Sequence, residues 1–313
     1  MREKRSAATP PSAPELLPVL TGATATGKTA LALVAAEALG AEIVSMDSMT
    51  IYRRMDVGTA KPSAAERARV RHHLIDVVDP SEDFDVQRWC AAADAAVAEI
   101  RGRDRVPLFV GGTPLYLMAY FKGLLASPPA DASLRAALEA REAAEPGCLH
   151  QELQRRDPES ADRIHRNDRR RLVRALEVLQ LTGVPISAQQ TDWEARGWRR
   201  PCRIVALHRP REELRARIRA RTMGMLTEGL LAEVAAIRDS GGFSRQAAGA
   251  IGYAECLAFL AGRLKDEEEL RNRIRRATHR LVRKQTTWLR RLTEVRWLDA
   301  DADAGELLAT LRG

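Results

Sequence analysis

Eight residues, Gly22-Ala23-Thr24-Ala25-Thr26-Gly27-Lys28-Thr29, have the types and spacing of a phosphate-binding loop. Two glycines with four residues between them let the backbone curl until successive N–H groups converge on phosphate oxygens. A helix beginning just after them adds partial positive charge. Lys28 has the reach to neutralise an outer phosphate, and Thr29 carries a hydroxyl suited to Mg2+. The chemistry this predicts is the gripping of a di- or triphosphate. It requires a strand before the loop and a helix after it, and the chain supplies both. Leu16-Leu17-Pro18-Val19-Leu20 reads as a short buried strand. Residues 29–39 place Leu31, Val34, Ala35, Ala38 and Leu39 on one helical stripe, and Gly40 is suited to closing it.

What the phosphate is for turns on a missing carboxylate. A hydrolytic NTPase of this kind needs a second strand ending in Asp or Asp-Glu, to hold metal and order a water. The best candidate, Val106-Pro107-Leu108-Phe109-Val110, runs instead into Gly111-Gly112-Thr113. The strand that does lead to a carboxylate covers residues 41–46 and is followed by Asp47-Ser48. In a doubly wound parallel sheet both strand ends open onto the crevice that holds the phosphate loop. Asp47 is therefore placed to act as a general base. A helix cap or turn is the alternative role for Asp47, and an ordinary polar turn residue is the alternative for Thr113.

The 313-residue chain is long enough for one large domain or two smaller ones, and its formal charge of +8 favours a polyanionic partner. Residues 127–201 are nearly neutral, with 13 Lys+Arg against 12 Asp+Glu, whereas residues 202–298 carry 21 against 11. One dense cluster lies outside that basic third: Arg163, Arg166, Arg169, Arg170, Arg171 and Arg174. Asn167-Asp168 can cap a helix there, which would turn Leu172, Leu176 and Leu179 inward and leave Arg170 and Arg174 outward to meet phosphates. A solvated face with pairs such as Arg174 and Glu177 is the alternative.

Strand and helix patterns alternate from residue 16 to about 122, stop at Ser127-Pro128-Pro129-Ala130-Asp131, and give way to helical runs at 132–145 and 168–181. Gly197-Trp198-Arg199-Arg200-Pro201 reads as a return linker, and Ile204-Val205-Ala206-Leu207 resumes the sheet. Long basic helices follow at 211–239, broken near Gly224 or Gly229, and at 267–291, before a last strand at 295–298. The expected architecture is α/β: a P-loop doubly wound parallel sheet (16–126 and 202–313) with an inserted all-helical subdomain (127–201), after a disordered leader of residues 1–15. Cys90, Cys148, Cys202 and Cys256 form no Cys-x-x-Cys pair, which argues for reduced thiols in a cytoplasmic protein and against zinc. No apolar run is long enough to span a membrane.

Taken together these segments resemble the tRNA dimethylallyltransferases, also called tRNA isopentenyltransferases. Besides the phosphate loop, the resemblance rests on Asp47-Ser48-Met49-Thr50-Ile51-Tyr52-Arg53, Gly58-Thr59-Ala60-Lys61-Pro62 and His72-His73-Leu74-Ile75-Asp76. It continues through Gly111-Gly112-Thr113, Arg171-Leu172-Val173-Arg174-Ala175-Leu176-Glu177, Ile251-Gly252-Tyr253 and Arg283-Lys284-Gln285 before Trp288. The chain departs from the family pattern at Ala23, Thr26, Thr50, Arg169, Arg170 and Ala254. The resemblance implies that residues 22–29 (Gly22, Ala23, Thr24, Ala25, Thr26, Gly27, Lys28 and Thr29) hold the diphosphate of dimethylallyl diphosphate rather than ATP. Arg221 or Arg217 would assist, and Mg2+ would sit on Thr29. It implies that N6 of the adenosine just 3′ of a tRNA anticodon attacks the prenyl carbon, with Asp47 as base and Thr113 beside it. A tRNA-binding set is implied of Asp47, Ser48, Met49, Thr50, Thr113, Arg135, Arg170, Arg171, Leu172, Val173 and Arg174, in a monomer. A prenyltransferase acting on free AMP, ADP or ATP, a small-molecule kinase and a non-catalytic RNA-binding protein are the competing readings. The helical insertion disfavours the first, and intact Lys28, Thr29 and Asp47 disfavour the last.

Overall fold

The computed structural model describes residues 16–123, 128–195 and 197–312. The expected leader, Ser127 and the expected boundary at 126–127 lie outside them. Two compact units are present: Lys122–Arg199 forms one, and the chain up to Phe121 and from Arg200 forms the other.

The larger unit is built on six strands: β1 (Leu17–Gly22), β2 (Ala41–Ser45), β3 (His72–His73), β4 (Val106–Val110), β5 (Cys202–His208) and β6 (Val295–Asp299). They lie in the order β3-β2-β4-β1-β5-β6, every neighbour parallel. Strands in such a sheet are buried on both faces and read as apolar runs. That is why β1, β2, β4 and β5 stand out in the sequence, while β6, at one edge, is buried only at Val295. The two-residue edge strand β3 does not stand out; it pairs Ile43 with His72 and Val44 with His73.

The helix Lys28–Leu39 ends at Gly40, whose φ of 60° lets its N–H return to the carbonyls of Ala36 and Glu37. Its buried face is Ala32, Leu33, Ala35 and Ala36, with Leu31 and Leu39 partly buried, while Val34 is 40% exposed. The expected stripe was thus rotated. An alanine-rich helix carries little pattern of its own, and its face is chosen by the sheet on one side and by the helix Ala304–Arg312 on another, through Leu307 and Leu311. The expected basic helix 211–239 is two helices, Arg211–Thr227 and Leu230–Asp239, broken at Gly229 with φ 98°.

Among the described residues the smaller unit contains helices and no strand: Ala132–Ala144, Cys148–Arg156, Pro158–Arg163, Arg169–Thr182 and Ile186–Ala195. Leu138, Leu149, Leu153, Leu172, Val173 and Leu176 form its core. Asp168 caps the helix Arg169–Thr182 by accepting the N–H of Arg171. All four cysteines are free, and no helix among the described residues is long and apolar enough to cross a membrane.

The sheet order decides where chemistry can occur. β4 lies between β2 and β1, so the turns after these three strands (Asp47, Gly111-Gly112 and the phosphate loop) emerge side by side. The middle turn has no room for side chains. A Cβ on Gly111 would lie 2.2 Å from the Met46 carbonyl oxygen, and one on Gly112 would lie 2.7 Å from Gln285 Nε2 and 3.0 Å from Gly22 O. Gly111→Ala should therefore cost about 2–3 kcal/mol by forcing β2 away from β4. It should weaken diphosphate binding in parallel, read by chemical denaturation and calorimetry; unchanged values for both would show that the turn can yield.

Candidate active site

The phosphate loop leaves β1 at Gly22, and Gly27, at φ 101°, begins the helix Lys28–Leu39 without any side-chain cap. The first N–H groups of that helix are therefore open to an anion. Ala25 adopts φ 67°, a left-handed conformation that costs a non-glycine residue roughly 1 kcal/mol. Thr26 is 1% exposed; its hydroxyl donates to Ala23 O at 2.9 Å and holds the curl from inside. Gly22, Ala23 and Thr26 shape the loop, while Thr24, Ala25, Gly27, Lys28 and Thr29 line a cavity of about 540 Å3.

Asp47, Thr50, Arg217 and Arg221 line the same cavity. Asp47 Oδ1 accepts the N–H of Met49 at 2.8 Å, which orients the carboxylate, and Oδ2 has no hydrogen-bond partner among the described residues. The turn role and the catalytic role are thus compatible in one side chain. Thr113 adjoins it, accepting the Ser48 N–H on its hydroxyl at 3.2 Å, which leaves the hydroxyl proton to donate elsewhere. Thr50 is 6% exposed and hydrogen-bonds the Ser45 hydroxyl at 3.0 Å. Ser48 and Met49 are half-buried in the turn between them.

Cations surround the loop. Lys28 Nζ donates to Gly22 O at 3.0 Å and to Ala23 O at 2.7 Å. Burial lowers its pKa to about 8, with Asp47 opposing and Arg221 adding to the shift. Arg217 donates from Nε to Ala25 O at 2.8 Å. Four residues along the same helix, Arg221 donates to Thr59 O at 3.3 Å, and burial lowers its pKa against the pull of Asp47. These groups are held by neutral carbonyls, an arrangement completed by an incoming polyanion.

Two supports were not assigned from the sequence. Gln285, 6% exposed, accepts the Thr24 N–H at 2.9 Å and donates to Gly112 O at 2.6 Å, joining the loop to the end of β4. Arg209 donates to Thr26 O at 3.0 Å while its other nitrogens bond Asp301 and Glu213. Gln285 carried a signal, since its segment belongs to the resemblance; Arg209 carried none.

The expected tRNA contacts Arg135, Arg170, Arg171, Leu172, Val173 and Arg174 belong to the smaller unit. Leu172 and Val173 are 0% and 4% exposed, so their side chains belong to its core and are not a contact surface. Arg170 and Arg171 are exposed, the latter 3.5 Å from Asp168. Arg174 is not free as expected. It bonds buried Glu177 at 2.6 Å and Pro128 O at 3.0 Å, and Arg135 bonds the same carboxylate through two nitrogens at 2.8 and 2.9 Å. The alternative pair named from the sequence is present.

A family model described as IPP transferase matches residues 50–292, and one described as isopentenyl transferase matches residues 16–78. The chain belongs to the IPP transferase family. It is 46% identical to the tRNA dimethylallyltransferase of Sorangium cellulosum over 90% of this chain and 89% of that protein. The tRNA dimethylallyltransferase of Halorhodospira halophila is 47% identical over 87% and 89%. The crystal structure of a full-length tRNA isopentenylpyrophosphate transferase from Bacillus halodurans is similar with a TM-score of 0.69 and 35% identity, over 95% of this chain and 97% of that one. A eukaryotic dimethylallyltransferase, solved acting on tRNA, aligns with a TM-score of 0.75 and 25% identity, over 92% and 74%. For this family member the α/β parallel fold expected from the sequence holds.

Proposed function

We propose that this IPP transferase moves a dimethylallyl group from dimethylallyl diphosphate to N6 of the tRNA adenosine immediately 3′ of the anticodon, acting as a cytoplasmic monomer. The observation that carries the chemistry is one cavity lined by both a phosphate loop whose helix start has no side-chain cap and a carboxylate with one oxygen unpartnered among the described residues.

In this reading the N6 lone pair attacks C1 of the donor, a C–N bond forms and the C1–O bond to diphosphate breaks. The N6 proton passes to Asp47, and diphosphate leaves with the bonding electron pair. An exocyclic amine is a weak nucleophile because its lone pair is delocalised into the ring, so removing its proton as the bond forms is where a base helps most. Thr113, whose hydroxyl meets the Asp47 turn through the Ser48 N–H, would in this reading hydrogen-bond the adenine or the departing oxygen. Loop amides, Lys28, Arg217 and Arg221 stabilise the charge that grows on the diphosphate. No water need be activated, which accounts for a β4 ending in two glycines instead of a carboxylate.

Among the described residues no group of three or more His, Cys, Asp or Glu is arranged to hold a metal. That suits Mg2+, which binds through one or two protein oxygens and otherwise through substrate phosphates and water. The exposed Thr29 hydroxyl lines the cavity next to Lys28 and is the residue that would hold it. When bound, the ion would neutralise charge on the leaving diphosphate.

The test is incubation with labelled dimethylallyl diphosphate, Mg2+ and unmodified tRNA bearing adenosine 3′ of the anticodon, with AMP as a parallel acceptor. Label is expected in tRNA alone. Label in AMP would move the protein to the nucleotide prenyltransferases, and label in neither would overturn the transferase reading.

A further inference from the structure

Thr59, Ala60 and Pro62 line one wall of the cavity, within a segment, residues 55–62, that is turn and coil throughout. Two backbone bonds, Ala60 N–H to Val57 O at 3.1 Å and Lys61 N–H to Asp56 O at 3.0 Å, close the turn on itself, and side chains tie it to its surroundings. Lys61, its side chain 2% exposed, donates to Tyr52 O at 2.8 Å and to Asp76 and Asp56 at 2.6 and 2.5 Å. The second anchor is Glu233, on the helix Leu230–Asp239. Its Oε2 accepts the N–H groups of Asp56 and Val57 at 2.9 and 2.8 Å. Its Oε1 accepts the Gly58 N–H at 3.3 Å and the Tyr253 hydroxyl at 2.5 Å. One carboxylate thus gathers three consecutive amides and a phenol, and no cation is paired with it among the described residues. Gly58 is moulded onto the same support: a Cβ there would come within 2.4 Å of the Tyr253 ring and 2.8 Å of Leu230.

The product of this mould is the position of one carbonyl. The Thr59 hydroxyl turns back to Met55 O at 2.6 Å, and the Thr59 carbonyl accepts from Arg221. That carbonyl is the only hydrogen-bond acceptor given to Arg221 among the described residues, so its placement aims the guanidinium. We infer that Glu233 is a positioning residue for group transfer: through the amides of residues 56–58 it sets the Thr59 carbonyl, and so holds Arg221 where charge develops on the departing diphosphate. The inference rests on the reading of the cavity as a diphosphate site.

Glu233→Gln offers one acceptor oxygen and an NH2 group in place of the other, which loses both the Asp56 and Val57 bonds in one amide orientation or the Gly58 bond, with the Tyr253 bond reversed, in the other. The expected result is a fall in kcat of about tenfold with donor KM changed less than about threefold, because the contact matters most in the transition state. Tyr253→Phe, a milder change, should lower kcat by about threefold. The deciding readout is a double-mutant cycle with Arg221→Lys, whose own loss should absorb both effects. A lower melting temperature with unchanged kcat, or losses that multiply with that of Arg221→Lys, would overturn the inference. Failure of the underlying reading shows separately, as a wild-type protein that binds diphosphate and transfers nothing. The cycle is then read on diphosphate affinity, where additive losses again overturn it.

Discussion

Asp47→Asn is expected to lower kcat by about 10^2–10^4 while leaving donor affinity unchanged or slightly tighter. The asparagine oxygen can still accept the Met49 N–H that orients this side chain, so the turn survives. What disappears is the proton acceptor. Donor binding should not suffer, because Asp47 is a negative group among the cations that meet the diphosphate. Its charge raises the pKa of both Lys28 and Arg221 against the lowering by burial. Removing an anion beside an anion site takes away a repulsion, and the bound diphosphate itself takes over from Asp47 in holding Lys28 charged. A variant that misfolded would lose both quantities, so the split is diagnostic. Single-turnover rates and calorimetric titration of the donor measure the two halves. Retained turnover would remove Asp47 from the role of base and leave it as a turn residue.

The features legible in the sequence are those whose physics is local. A phosphate loop needs its glycines, lysine and threonine within eight residues. Buried parallel strands read as largely apolar runs, and some helix ends are marked by a glycine at positive φ, as at Gly40 and Gly183. The supports of the site are not local. Gln285 meets Thr24 across 261 residues, Arg209 meets Thr26 across 183, and Glu233 meets Asp56 across 177. No periodicity or spacing announces such a contact, since a long-range partner is chosen by the fold. The same limit misjudged the helix Lys28–Leu39, whose alanines fit any face, and left the Arg174–Glu177 pair in the arginine cluster as an alternative only. Helical spacing correctly turned Leu172, Leu176 and Leu179 inward, but it could not show that Glu177 is buried among them.

That buried carboxylate gives the largest stability effect expected in the smaller unit. Glu177 is 0% exposed and accepts from Arg135, Arg174 and the Asp131 N–H at 2.6 to 2.9 Å. Burial alone would raise its pKa, but the two guanidiniums and the amide outweigh it and hold the carboxyl below its ordinary range. A depressed carboxyl pKa means that this contribution is complete above the unfolded value and is lost as pH falls through the folded one. Glu177→Gln should cost the helical unit about 3 kcal/mol, since it leaves two partly buried guanidiniums short of an acceptor. The loss should shrink as pH falls below the unfolded carboxyl value and through the depressed folded one, where the wild-type group also protonates. The variant also separates two roles for Arg135 and Arg174. If both meet tRNA phosphates, releasing them from Glu177 should steepen the dependence of log K on log salt by about one unit, in filter binding at graded ionic strength. An unchanged slope in folded Glu177→Gln protein would assign both arginines to the fold alone and leave exposed Arg170 and Arg171 as the RNA-facing charges of that helix.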